Sequence, residues 1–149
     1  MPKKICRHGG MMANLSPERL AQNGSERGHQ AALFCWIALN VDKYPELDKL
    51  FHIQNASANR SARVVGVKAG VPDLFLPVKC NNYSGLFIEL KRPPSEGKKA
   101  GKLSKDQEQW IEYLQLQGFA VVTCHGWEAA RDMLIQYLKY VEIVRKDHG

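Results

Sequence analysis

Several features are missing from this 149-residue chain, and each absence narrows its function. No stretch of about 18 successive apolar residues occurs, so no transmembrane helix is expected. The opening residues, MPKKICRHGG, hold no apolar segment of the signal-peptide kind. A cytoplasmic protein with no membrane partner is therefore expected. Cysteine is sparse: Cys6, Cys35, Cys80 and Cys124 are scattered without a C-x-x-C pair, which fits free thiols in a reducing compartment. Cys6 with His8 supplies at most half of a zinc site. No internal repeat is present. Acidic residues are outnumbered, 15 against 21 Lys and Arg, giving a net charge of +6. Such an excess favours a polyanionic partner, nucleic acid first.

What remains is an ordinary globular composition, 44% hydrophobic and 24% charged. One domain over residues 24–149 is expected, preceded by a basic and polar arm over 1–23 in which Ser16 and Pro17 can start a short helix. The organising stretch is Gly66 to Lys91, GVKAGVPDLFLPVKCNNYSGLFIELK. Two apolar runs, DLFLPV and GLFIEL, flank the turn-rich NNYSG and predict a β-hairpin. On the second strand Leu86, Ile88 and Leu90 share the core-facing side, while Glu89 and Lys91 share the other. A three- or five-residue connection, or a bulge, would bring Asp73 roughly opposite Lys91 and diagonal to Glu89. An even one would turn it to the wrong face. Two carboxylates and a lysine so placed suit Mg²⁺ or Mn²⁺ beside a phosphate. The ordinary alternative is a cross-strand ion pair on a solvated face, because D…ExK alone is a short, common pattern.

The flanking elements follow from periodicity. Ser25 caps a helix whose stripe of Leu33, Trp36, Ile37 and Asn40 extends back to Gln30 and Glu26, placing a carboxylate and an amide on its core-facing side. His29 falls off that stripe. KYPELDK reads as a loop and LFHI as a short first strand. QNASANRSARVVGVKAG reads as a loop in which Arg60, Arg63 and Lys68 meet no acid, hence a phosphate-contacting loop. After Lys91, RPPSEGKKAGK places Arg92, Lys98, Lys99 and Lys102 against the single Glu96, a mobile basic loop where a nucleic-acid backbone would pass. Leu103 to Gln117 is a second helix with Ser104 and Gln107 at capping-box spacing and Trp110, Ile111 and Leu114 as its apolar stripe. FAVVTC is a buried strand, parallel to IELK through a right-handed helical crossover, and HGWEAARDMLIQYLKYV closes the chain as a helix. Together these give an α/β fold, a central mixed β-sheet flanked by helices in the order αβββαβα.

The GVPD run ending at Asp73, the IELK run ending at Lys91, LSKDQ ending at Gln107, Gly66, and the upstream Glu26 with Gln30 resemble the VRR-NUC (virus-type replication-repair nuclease) family of the PD-(D/E)XK superfamily. The likeness is to its short stand-alone members, over about residues 25–140. The resemblance implies a restriction-endonuclease-like core and a Mg²⁺- or Mn²⁺-dependent deoxyribonuclease. It also implies Asp73 and Glu89 as metal ligands, the Leu90 carbonyl as a further one, Lys91 positioning the attacking water, Glu26 as a ligand or water-mediated contact, and Gln107 near the active site. It further implies a cut leaving a 5′-phosphate, and a homodimer acting on branched DNA, four-way (Holliday) junctions especially. Two alternatives stay open: a monomer nicking flaps or single strands, and a basic DNA-binding module without chemistry. No small-molecule cofactor is expected.

Overall fold

A computed structural model describes residues 15–55 and 60–147. Cys6, His8 and the basic beginning of the N-terminal arm lie outside the described residues, as does the side chain of Arg60.

Helix α1, Pro17–Ala21, is capped by the Ser16 hydroxyl, which accepts from Arg19 N, and it lies against α2. Helix α2, Glu26–Asn40, is capped in the same way by Ser25 on Gly28 N at 3.0 Å. A single 3₁₀ turn at Pro45–Lys49 replaces the expected loop, since Pro45 at its start presets the turn. Strand β1, Phe51–His52, follows. The polar segment after it is not all loop: Arg60–Val64 forms a one-turn helix, α3. Strands β2, Leu74–Leu76, and β3, Leu86–Lys91, make the hairpin. Helix α4, Lys105–Leu116, carries the chain to β4, Ala120–His125, and α5, Trp127–Asp147, ends the described chain.

The four strands lie in the order β1-β2-β3-β4, antiparallel except for β3 and β4, which run parallel with α4 as their crossover. Strand alternation divides the two faces of the sheet. Leu74, Leu76, Leu86, Ile88 and Leu90 join Leu33 and Ile37 of α2 and Ala130, Leu134 and Leu138 of α5 in the core. On the opposite face Phe75 stacks on Phe87 at 4.3 Å between ring centres, and Phe119 meets both rings edge-on. The charged residues of β3 continue this second face, so one end of it is aromatic and the other ionic. No helix of the described residues is long and apolar enough to cross a membrane.

The hairpin connection differs from a simple turn. Cys80 and Tyr83 form a tight antiparallel bridge around Asn81, whose φ of 53° is a left-handed conformation that Asn tolerates. Leu74 pairs with Ile88 and Leu76 with Leu86, so the odd-numbered stretch 77–85 connects the strands. Continued by one step, that register sets Asp73 opposite Glu89. The expected pairing opposite Lys91 is thus off by two residues along β3, although the face is as expected.

Candidate active site

Asp73 enters the site from the segment that precedes β2. Gly70 in that segment has φ +85°, and a Cβ there would lie 2.7 Å from the Asp106 backbone, so only glycine lets the segment dock on the start of α4. Trp110 Nε1 donates to the Ala69 carbonyl at 3.0 Å and fastens it there. Trp110 is therefore a half-buried clamp and not a simple member of the expected apolar stripe. The Asp73 backbone carbonyl accepts from Ile53 N at 2.7 Å, tying the residue to the end of β1.

The side chains then converge. Asp73 Oδ2 accepts from Leu90 N at 2.9 Å. Because N–H and C=O of one strand residue point to the same side, the Leu90 carbonyl also faces the Asp73 side, where β2 has not yet begun. Glu89 is 1% exposed, yet its Oε1 has two donors: Lys91 Nζ at 3.2 Å and Gln107 Nε2 at 2.6 Å. Its Oε2 is buried with no hydrogen-bond partner. Lys91, 7% exposed, also approaches Glu26 Oε1 at 3.9 Å. A solvated cross-strand pair is excluded by this burial. Glu26, with a side chain 48% exposed, does not face the core as its helical stripe suggested. The buried side of α2 runs through Gly28, His29, Ala32, Leu33 and Ile37 instead, leaving Glu26 at the rim.

Burial sets the electrostatics. Desolvation pushes the Glu89 carboxyl up to about 7; the neighbouring Asp73 charge and, more weakly, Glu26 add to this, while Lys91 opposes it. Burial likewise raises Asp73, against the pull of the Leu90 N–H and Lys91. A buried carboxylate oxygen without a partner, beside a second carboxylate, is costly unless a proton or a metal cation neutralises it. Among the described residues no three His, Cys, Asp or Glu side chains converge as a closed cage would require. Two carboxylates and a carbonyl with room for water suit Mg²⁺, which rarely takes an all-protein shell. Room is available: a cleft of about 450 Å³ is lined by Glu26, Arg27, Gln30, His52, Asp73 and Leu90.

The basic residues distribute unevenly. The segment after Lys91 is a small hairpin bridged at Ser95 and Lys98, with Gly97 at φ +72° and Gly101 N bonded to the Arg92 carbonyl. Arg92 and Lys98 line a hollow of about 580 Å³ with Glu26 and the start of α2. Lys99 and Lys102 line another, of about 710 Å³, with Thr123 and His125. Arg63 and Lys68 are exposed and line neither hollow nor the cleft. Sequence reasoning missed Arg27 and His52 at the cleft. It also placed His29 off the buried side, whereas His29 is 6% exposed and its Nδ1 accepts from Trp127 N, the first amide of α5, at 3.1 Å.

Residues 15–128 match the VRR-NUC domain family. Among solved structures, one described as a VRR_NUC domain protein is similar over 78% of this chain and 89% of its own length, with a TM-score of 0.63 and 26% sequence identity. The search of curated proteins gave no match.

Proposed function

Because the chain belongs to the VRR-NUC family, nucleases of the PD-(D/E)XK type, we propose that the cleft beside Asp73 and Glu89 is the active site of a divalent-metal-dependent, structure-selective DNA endonuclease. The observation that carries the reading is the buried Glu89 carboxylate, held on one oxygen by Lys91 and Gln107 and left without a partner on the other. That free oxygen, the second oxygen of Asp73, the Leu90 carbonyl and Glu26 at the rim are the groups that would hold Mg²⁺ or Mn²⁺. When bound, the ion supplies Lewis acidity for water activation and charge neutralisation at the phosphate.

The chain's own groups do the rest. Lys91 Nζ, already directed at Glu89, orients the attacking water and offsets charge developing on the phosphoryl oxygens. Gln107 fixes the Glu89 oxygen that is not available to the ion. Arg92, Lys98, Lys99 and Lys102 hold the backbone on either side of the cleft, and Arg60, Arg63 and Lys68 extend the contact away from it. Hydrolysis leaves a 5′-phosphate. With few groups to read base edges, the protein selects shape and phosphate spacing. A homodimer would present two such sites at a fixed separation, as symmetric nicking of a four-way junction requires.

The test is cleavage of labelled four-way junction, flap, single-stranded and duplex DNA with Mg²⁺ or Mn²⁺, together with solution mass. Junctions are expected to be cut fastest, by a dimer. Asp73→Ala, Glu89→Ala and Lys91→Ala should each lose about a hundredfold or more in rate while still binding DNA, since they act on the transition state. Undiminished cleavage by Lys91→Ala would overturn the site. A monomer cutting linear duplex as fast as junctions would overturn the substrate.

A further inference from the structure

Helix α4 presents a second surface next to the catalytic carboxylates. Asp106, Gln109, Trp110 and Tyr113 follow at the spacing that shares one helix face, and with Ala69 they line a hollow of about 320 Å³. Asp106 precedes Gln107, the donor to Glu89, and its backbone lies against Gly70, three residues before Asp73. The hollow therefore borders both chain segments that carry the site. Its two rings, Trp110 and Tyr113, meet nearly at a right angle, 88°, with centres 6.1 Å apart. A flat base laid on one ring meets the other edge to face, an arrangement that aromatic quadrupoles favour. Trp110 is already held by its bond to the Ala69 carbonyl, so little ordering cost remains to be met on binding. Tyr113 is 55% exposed. A lone exposed aromatic is ordinary, but one that forms a corner with a clamped tryptophan beside the cleavage site is a stacking surface. Charge around the hollow separates base from backbone. The exposed Lys68 and Lys105 adjoin Ala69 and Asp106 in the chain and attract phosphates, while the carboxylate of Asp106 repels them from the lining itself. Such a rim admits an uncharged ring and keeps the phosphates outside.

We propose that this hollow is a stacking subsite for one unpaired nucleobase of the DNA strand being cut, and that it favours DNA with an unpaired nucleotide beside the cleavage point over continuous duplex. The proposal rests on the nuclease reading above and deepens it by naming the group that is recognised. In continuous duplex each base is held between its neighbours and must be unstacked to enter. Where pairing is interrupted, as beside a flap or an opened branch point, a base leaves the stack at small cost. Stacking on Trp110 and Tyr113 is indifferent to base identity, because every base has a π-face, so the subsite selects structure and not sequence.

The experiment measures binding of the full chain to fluorescently labelled flap DNA in chelator, which stops cleavage. Moving a single abasic site through the nucleotides flanking the branch point should weaken wild-type binding about tenfold at one position and leave the others nearly unchanged. Tyr113→Ala should weaken binding of the intact flap about tenfold and lose nothing more when that same position is abasic, whereas Tyr113→Phe, which keeps the ring, should bind like the wild type. Loss of affinity by the same factor for intact and abasic DNA in Tyr113→Ala would show a merely structural tyrosine and overturn the proposal. Wild-type binding that is equally sensitive to every abasic position, or to none, would overturn it too. So would a Tyr113→Ala protein whose solution mass falls to half that of the wild type, since the hollow would then hold a second copy of the chain. These three results leave the nuclease reading intact, because cleavage with Mg²⁺ or Mn²⁺ is measured separately on the same substrates. A wild type that shows the single abasic-sensitive position yet cuts no DNA would overturn the nuclease reading and support the subsite. Failure to bind DNA at all would overturn both.

Discussion

The carboxyl of Glu89 should make metal-free stability depend on pH in a way a single substitution isolates. In the folded chain burial lifts it from an ordinary 4.5 to about 7, and at 1% exposure little water screens the effect. Between those two pH values the native state binds more protons than the unfolded one, so stability falls as pH rises through the window. At about 1.4 kcal/mol per pH unit the loss attributable to Glu89 is about 3 kcal/mol, complete above about pH 8. In Glu89→Gln the side chain keeps its size but cannot ionise. The substitution also changes the partners of Lys91 and Gln107, which offsets the whole curve by a constant, so the informative quantity is the change of the difference with pH. Urea unfolding in chelator, followed by the fluorescence of Trp36, Trp110 and Trp127, should give a variant whose stability relative to wild type rises by about 3 kcal/mol from pH 4.5 to pH 8. Saturating Mg²⁺ at pH 8 should then restore the wild type, by about 2.7 kcal/mol at a hundredfold excess over Kd, and leave the variant largely unmoved. Two stability curves that stay parallel across this pH range would refute the assignment of Glu89 as the buried, proton-holding carboxylate.

Three further outcomes are expected. Gly70→Ala should destabilise by about 2 kcal/mol or more in thermal or urea unfolding, because its left-handed φ and the Asp106 backbone both oppose a Cβ. Replacing Lys98, Lys99 and Lys102 together with glutamine should flatten the plot of log affinity against log salt by roughly one unit per lost phosphate contact, and an unchanged slope would place the hairpin away from DNA. Burial lowers the His29 pKa below its ordinary 6.5, so the neutral ring that receives Trp127 N contributes stability that is present above that value and lost as pH falls. His29→Gln should therefore lose less stability than wild type on acidification, measured in the same urea series.

Much of this architecture could be read from residue order because its signals are local. Ser25 and Ser104 announce α2 and α4, and alternation in IELK assigns Leu90 and Glu89 to opposite faces. The elements not anticipated, the 3₁₀ turn at Pro45 and α3, span five residues each, too short for a helical period to emerge. For the site, the face of Asp73, Glu89 and Lys91 was legible, but its exact pairing depended on a bridge at Cys80 and Tyr83 that lengthens the connection. Glu26 and His29 were assigned to the wrong sides of α2, because a stripe drawn from Trp36 and Asn40 sits about one position away from the true contact line through Gly28 and Ala32. His52 gave no signal: its ring meets the carbonyl of Asp73, 21 residues further along the chain in the segment that precedes β2.

Gln107 joins two parts of the molecule that are usually independent. Its Oε1 accepts from Ser104 N at 2.8 Å to close the capping box, and its Nε2 reaches Glu89. An acceptor is needed at one end of the amide and a donor at the other, at the length of a glutamine side chain, so the permitted alphabet at this position shrinks to a single letter. Glutamate would satisfy the helix as well or better, yet would present an oxygen to an oxygen beside Glu89. Gln107→Glu should consequently leave α4 well started while unsettling the carboxylate it serves, separating folding competence from catalytic competence with the exchange of one nitrogen for one oxygen.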